Sequence, residues 1–256
     1  MSEQPTIMEI SNLSTAYDSS NVLEGVNLNI HANDYLGIIG PNGGGKSTLL
    51  KCILGIKKHS GTIRFFDKNG EETHSPKIGY LPQYTKVDSD FPIIVEEVIQ
   101  AGIPCKPLQW RKKKQAQHLV EQTMDKVGVS NLSKLPIGQL SGGQLQRVLL
   151  GRAIVSQPDI LMLDEPNTYL DKTHEIKLYE ILAEINKDCA IILVSHDVGT
   201  ILQQVKQVAC VERTLHYHSC KEVDQKWIGQ SLHCPIDIVG HGDLPHRILP
   251  RHSNDN

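Results

Sequence analysis

A chain of 256 residues exceeds one minimal domain and falls short of two large ones, which suits a single core carrying an inserted or appended piece. With 39% hydrophobic and 21% charged residues it can build an ordinary globular core, and a formal net charge of −3 argues against a nucleic-acid partner. No apolar run is long enough to span a bilayer, the N terminus (MSEQPTIMEI) has no signal-peptide pattern, and the six cysteines, mostly in apolar or strand-like contexts, read as reduced intracellular thiols.

The first element with chemical meaning is the apolar run Tyr35-Leu-Gly-Ile-Ile39, a buried-strand candidate. It leads into Gly40-Pro41-Asn42-Gly43-Gly44-Gly45-Lys46-Ser47-Thr48, which matches G-x-x-x-x-G-K-[ST]. Leu49, Leu50, Ile53 and Leu54 then fall at helical spacing, and Gly55 supplies a helix stop. Strand, glycine loop and helix form the context in which such a loop binds phosphate. Without side chains, successive backbone N–H groups turn inward around phosphate oxygens, beside the positive end of the helix. Lys46 is placed to reach the β- and γ-phosphates, and Ser47 to hold Mg²⁺.

Further along, Leu140-Ser141-Gly142-Gly143-Gln144 places Ser141 and Gln144 at capping-box spacing. From Leu145 to Ser156, the residues Leu145, Val148, Leu149 and Ile154 supply the buried side of a helix. This is either simply a well-capped helix or a second helix N terminus with glycine-exposed amides, hence a second anion site. One chain has no evident use for two phosphate cradles; two chains placed head to tail would use both.

The run 159–163 is another buried-strand candidate and ends in Asp164-Glu165-Pro166. A carboxylate at the C-terminal edge of a strand suits Mg²⁺ binding through water, the role expected of Asp164. Glu165 points elsewhere and is expected to orient or deprotonate an attacking water. Taken alone, Asp-Glu after a strand is also common in solvated loops; the phosphate loop elsewhere in the chain gives it chemical weight. A third run, 190–194, leads to Ser195-His196-Asp197, with His196 within reach of a γ-phosphate at the same sheet edge. Strands delivering Lys46 and Ser47, Asp164 and Glu165, and His196 to one edge describe an α/β ATPase site.

These motifs stand in the order of the ABC (ATP-binding cassette) ATPases, and from about Ile7 to Val211 the sequence resembles that family. Further roles follow from the resemblance. Tyr17 is similar to the aromatic that stacks on adenine. Gln83, in Ile-Gly-Tyr-Leu-Pro-Gln, resembles the glutamine that links the metal site to the membrane partner, and Asp171, in Tyr-Leu-Asp, looks like the aspartate that crosses the dimer interface. The implied cofactors are ATP and Mg²⁺, with Ser47, Gln83 and Asp164 at the metal. Lys46, Gln83, Glu165 and His196 would carry the catalysis, and the 141–144 turn of the facing chain would complete the nucleotide site.

The implied architecture is an α/β P-loop NTPase with a RecA-like core. An antiparallel β subdomain (about 6–35 and 60–66) and an inserted helical subdomain (about 84–146) belong to an ATPase domain over 1–215. The Arg111-Lys-Lys-Lys114 run reads as a solvated helix face, with contact to anionic lipid the alternative. Asn42–Gly45, Asp90–Val98 and Asn167–Lys172 look most like ATPases of zinc, manganese and iron importers. That implies a homodimer on the cytoplasmic face of the membrane, docked on an integral-membrane permease that an extracytoplasmic solute-binding protein feeds. Thr168-Tyr-Leu-Asp171 departs from the commoner Ser-Ala-Leu-Asp and also resembles siderophore and cobalamin importers; a soluble ATPase of iron–sulfur cluster assembly is a further alternative.

The remaining 216–256 form a His/Cys-containing C-terminal extension. His216, His218 and Cys220 alternate so that a strand would project them on one face, and His233, Cys234, His241 and His246 follow. Such N and S donors would suit a regulatory Zn²⁺. Against it, no C-x-x-C occurs, and the family resemblance supplies no ligand role here. The final residues, 251–256, are polar and expected to be disordered.

Overall fold

Alternating apolar residues build the start of the chain into a two-stranded ribbon. β1 (Thr6–Tyr17) and β2 (Ser20–His31) pair antiparallel. Met8, Ile10 and Leu13 of β1 and Leu23, Val26, Leu28 and Ile30 of β2 are buried. The step from Ile10 to Leu13 departs from period two because the register shifts there, as at a β-bulge. This is a computed structural model, and it describes residues 4–18, 20–67, 69–83, 91–104, 113–168, 170–219, 236–239 and 247–250. The chain forms two compact units, Met1–Pro76 with Ala190–Asn256, and Lys77–Cys189.

In the first unit, β3 (Tyr35–Ile39) spans the predicted run and is buried throughout, and α1 (Lys46–Ile53) follows the glycine loop. β4 (Ser60–Phe66) pairs with the free edge of β1, and the two-residue β5 (Glu72–Thr73) extends the sheet to the order β2-β1-β4-β5. This is the expected antiparallel region, lengthened by a strand too short to show periodicity.

The second unit opens with β6 (Ile78–Leu81) and continues through α2 (Val95–Gln100), α3 (Lys113–Val127) and α4 (Gly142–Ile154). Val120, Met124 and Val127 form the buried stripe of α3, at the i, i+4, i+7 spacing of a helix face. Each such side chain contributes about 1.5–3 kcal/mol on burial. On α4 the expected buried side holds at Val148, Leu149 and Ile154, and Leu150, Gly151 and Ala153 join it. Leu145 is only half-buried, because the first turn of α4 is where the helix emerges from the core. β7 (Ile160–Asp164) begins one residue later than the apolar run, and pairs in parallel with β6. α5 (Lys172–Ile185) closes the unit. Of the basic run at 111–114, Arg111 and Lys112 lie outside the described residues, and Lys114 is exposed on α3.

The chain returns to the first unit with β8 (Ala190–Val194), α6 (Val198–Gln204), β9 (Gln207–Glu212) and β10 (Thr214–Ser219), followed by the hairpin β11 (Ile236–Val239) and β12 (Arg247–Pro250). β3 lies between β8 and β9, parallel to both, and β10 pairs antiparallel with β9. Strands buried on both faces read as continuous apolar runs rather than alternation, as β3, β8 and Val208–Val211 do.

Candidate functional site

In the first unit, the loop after β3 is shaped by glycine and by β9. Gly40 has φ +147°, and a Cβ on it would lie 2.2 Å from the Val211 carbonyl oxygen. Only glycine lets the loop run this close to the end of β9. The Gly44 N–H donates to the Pro41 carbonyl at 3.0 Å, and the Arg213 N–H donates to the Gly44 carbonyl at 3.2 Å. α1 then starts from Gly45 with no side-chain cap and no acidic residue in its first turn. A helix end built this way presents its dipole to an anion instead of satisfying it internally.

Lys46 folds back over this loop and is 6% exposed, with Nζ donating to the carbonyls of Gly40 (2.8 Å) and Pro41 (3.0 Å). A buried ammonium held by carbonyls carries its charge to where phosphates would lie. Ser47 and Thr48 are half-buried on the first turn of α1, while Asn42 and Gly43 are exposed. Burial pushes the Cys210 thiol up to about 11, Glu212 adds to the shift, and the Lys46 charge works against it. Tyr17 is 44% exposed, and Lys57 Nζ stands 3.7 Å from its ring centroid, so this chain's own cation covers one face of the expected adenine platform. His196 is exposed just beyond β8. Its neighbours fix the turn: Ser195 is fully buried with Oγ accepting from the Asp197 N–H (3.0 Å), and Asp197 caps α6 through the Thr200 N–H (3.1 Å).

In the second unit, the parallel register Leu81↔Leu163 brings the ends of β6 and β7 side by side. Gln83 and Glu165 each lie two residues beyond, and Gln83 Nε2 donates to Glu165 Oε2 at 2.7 Å. The resemblance gave Gln83 a metal contact; here its amide engages the carboxylate expected to orient water. Glu165 has φ +49°, a left-handed conformation uncommon outside glycine and concentrated at functional turns. Thr168 supports that turn by donating its hydroxyl to the Glu165 carbonyl (3.1 Å). Asp164, 4% exposed, ends β7; burial and the Asp164 charge together raise the Tyr80 phenol.

The 140–144 segment has the expected cap. Ser141 Oγ accepts from the Gln144 N–H (3.3 Å), and Gln144 Oε1 accepts from the Ser141 N–H (2.9 Å). Gly142 and Gly143 form the first turn of α4. Asp171 caps α5 by accepting from the His174 N–H at 2.9 Å and, with both carboxylate oxygens, from His174 Nδ1 at 2.8 Å. The backbone N–H and then the side chain of His174 hold the Asp171 carboxyl below its ordinary range.

Residues without a motif fasten the segment between them. Gln146 Nε2, on α4, donates to the Pro166 carbonyl (2.7 Å). Glu175 of α5, 8% exposed, accepts from Asn167 Nδ2 (3.0 Å) and from Lys172 Nζ (2.9 Å). The Lys172–Glu175 pair is an i,i+3 contact within α5, whereas the Gln146 and Asn167 contacts join separate segments, and nothing in the local sequence announces those two. Among the described residues no group of three or more His, Cys, Asp or Glu is placed to hold a metal ion. His216 is exposed on β10, 3.2 Å from Thr214 Oγ1. Cys220, His233, Cys234, His241, His246 and the side chain of His218 lie outside the described residues.

The ABC transporter family model matches residues 23–168. A zinc import ATP-binding protein of Saccharophagus degradans is 36% identical over 219 residues, spanning 84% of this chain and 80% of that one. A manganese transport system ATP-binding protein of Halalkalibacterium halodurans is 34% identical over 212 residues, 82% of this chain and 84% of its own. Among solved structures, cbiO1 of Clostridium perfringens, part of an ABC transporter complex, superposes with a TM-score of 0.73 at 27% identity, covering 89% of this chain and 94% of that one. A phosphate loop, a capped glycine turn and an Asp-Glu strand end, matched over this length, carry one conclusion: the chain belongs to the ABC transporter family, as an ATP-binding protein with the α/β fold of a P-loop NTPase.

Proposed function

We propose that this chain is the ATP-hydrolysing subunit of an importer of divalent metal ions such as zinc, manganese or iron. The observation that carries the reading is the pair of relatives named for zinc and manganese transport, each above 30% identity over four-fifths of both chains. The subunit works as a homodimer on the cytoplasmic face of the membrane, docked on an integral-membrane permease that receives cargo from an extracytoplasmic solute-binding protein. Among the described residues no helix is long and apolar enough to cross a membrane, so the passage itself is assigned to the permease.

The residues fit ATP and Mg²⁺ by their chemistry. The loop over 40–48 offers backbone amides and a buried ammonium to phosphate, and Tyr17 an aromatic face to adenine. Ser47, Gln83 and Asp164 offer the hard oxygen donors that Mg²⁺ takes, and the ion supplies charge neutralisation on the phosphates. Lys46 neutralises the β- and γ-phosphate oxygens, and Glu165 orients the attacking water and accepts its proton. His196 and Gln83 stabilise charge on the transferred group. Ser141, Gly142, Gly143, Gln144 and Asp171 serve the nucleotide held by the facing chain, so that ATP joins the two chains and its hydrolysis releases them.

Elemental analysis of cells lacking this gene, grown with scarce metals and complemented with wild type or Glu165→Gln, tests the reading. A selective fall in zinc, manganese or iron, restored by wild type alone, is the expected result. Contents that fall only when iron is supplied as a siderophore complex or cobalt as cobalamin would overturn it in favour of those cargoes, and unchanged contents throughout in favour of a soluble assembly ATPase that does not sediment with membranes.

A further inference from the structure

The ring of His174, on the first turn of α5, lies directly over Gly143, on the first turn of α4. A Cβ on Gly143 would fall 2.3 Å from His174 Cδ2 and 2.7 Å from Cγ. That contact, within one chain, is a reason this position is glycine, separate from any need for amides to approach phosphate. The ring is fixed at its other side. His174 Nδ1 is 2.8 Å from each carboxylate oxygen of Asp171, and the His174 backbone N–H donates to the same carboxylate. Because the Asp171 carboxyl is held below its ordinary range, it is ionised at neutral pH and only accepts, so Nδ1 carries the proton and the imidazole has one orientation.

Asp171 therefore caps α5, anchors the ring, and through the ring bounds the space in which the Ser141–Gln144 turn can sit. We propose that His174 is a positioning residue for that turn: anchored by Asp171, it holds the glycine amides at the start of α4 in the register that receives the γ-phosphate of ATP bound to a second copy of the chain. The inference rests on the dimer reading given above and adds to it a specific coupling. A change at Asp171, the residue expected at the dimer interface, reaches the phosphate-receiving turn of its own chain through one imidazole.

The test uses the full chain in a Glu165→Gln background, where ATP-bound dimer should accumulate. Two quantities are measured for each variant: affinity of the monomer for a fluorescent ATP analogue, and the ATP concentration giving half-maximal dimer by gel filtration with light scattering. His174→Ala should raise the ATP concentration needed for dimer roughly three-fold or more, the lower range of coupling between residues in contact. Monomer affinity should stay within about two-fold, a split that general loss of structure would not produce. Gly143→Ala should nearly abolish the dimer, and Gly143→Ala combined with His174→Ala should recover part of it, since the added methyl then has room. His174→Gln keeps a donor for Asp171 without a ring over Gly143, should show the same shift as expected for His174→Ala, and replaces it in the comparison if the alanine variant is unstable. Unchanged dimerisation in both His174 variants, or a Gly143→Ala defect of equal size with and without His174, overturns the inference alone. Absence of ATP-dependent dimer in Glu165→Gln itself overturns the functional reading, and the inference with it.

Discussion

Gly40 and Gly43 sit in the same phosphate loop, yet the two glycines are required for different reasons. Both have positive φ, +147° and +80°, which strains any L-residue. A Cβ on Gly43 meets nothing within 4 Å, whereas one on Gly40 meets the Val211 carbonyl oxygen at 2.2 Å. Gly43→Ala should therefore cost only backbone strain, on the order of 1–3 kcal/mol. Gly40→Ala adds overpacking against backbone that cannot rotate away, roughly 1–3 kcal/mol more. Urea denaturation of the two variants checks the order, and equal costs would show that β9 does not confine the loop. The motif over 40–48 was legible in the sequence because strand, glycines and helix are contiguous. The Val211 contact was not, since the partner lies far along the chain. Tyr17 shows the same division: its identity was legible, but the Lys57 ammonium over its ring came only with the fold. Glu165 and Gln83 were each picked out as single residues, while the hydrogen bond between them depends on β6 and β7 pairing in register.

At the scale of elements, β3 and β8 coincide with their apolar runs because five buried residues in sequence leave no competing pattern. β9 was missed as a central strand: its apolar core, Val208–Val211, is short and adjoins the histidine-containing tail, so its burial is decided by pairing with β3 and β10. Two buried thiols, one just before β8 and one in β9, have an ionisation coupled to folding. Burial pushes Cys189, immediately before β8, up to about 12, with Asp159 the next cause. Cys210 in β9 is pushed to about 11. Both folded values exceed the ordinary value of 9.0, so in an unfolded chain these thiols ionise first. Their contribution to stability is fully present below pH ~9 and is lost as pH rises from there through the folded values. Urea midpoints should accordingly fall between pH 8 and 10 in wild type, and fall less in a Cys189→Ala, Cys210→Ala variant. Identical pH profiles would mean that other groups govern alkaline unfolding.

At the scale of the whole molecule, the proposed dimer assigns the helix N termini at α1 and α4 of facing chains to one shared nucleotide. That arrangement separates binding from hydrolysis, and Glu165 is the residue at which the two can be parted. Its carboxylate accepts from Gln83 Nε2. The carbonyl oxygen of a glutamine can accept the same hydrogen bond, so Glu165→Gln keeps the left-handed turn and its neighbours while removing the proton acceptor. ATP binding should then stay close to wild type, and turnover should fall ~10²–10⁴-fold, the contribution of a positioned general base. If hydrolysis releases the chains, as proposed, the variant should accumulate as an ATP-bound dimer on gel filtration, where wild type elutes as monomer once its ATP is spent. A variant that hydrolyses at the wild-type rate would remove Glu165 from the mechanism. Slow hydrolysis without dimer would keep Glu165 as the base and deny that the nucleotide joins two chains.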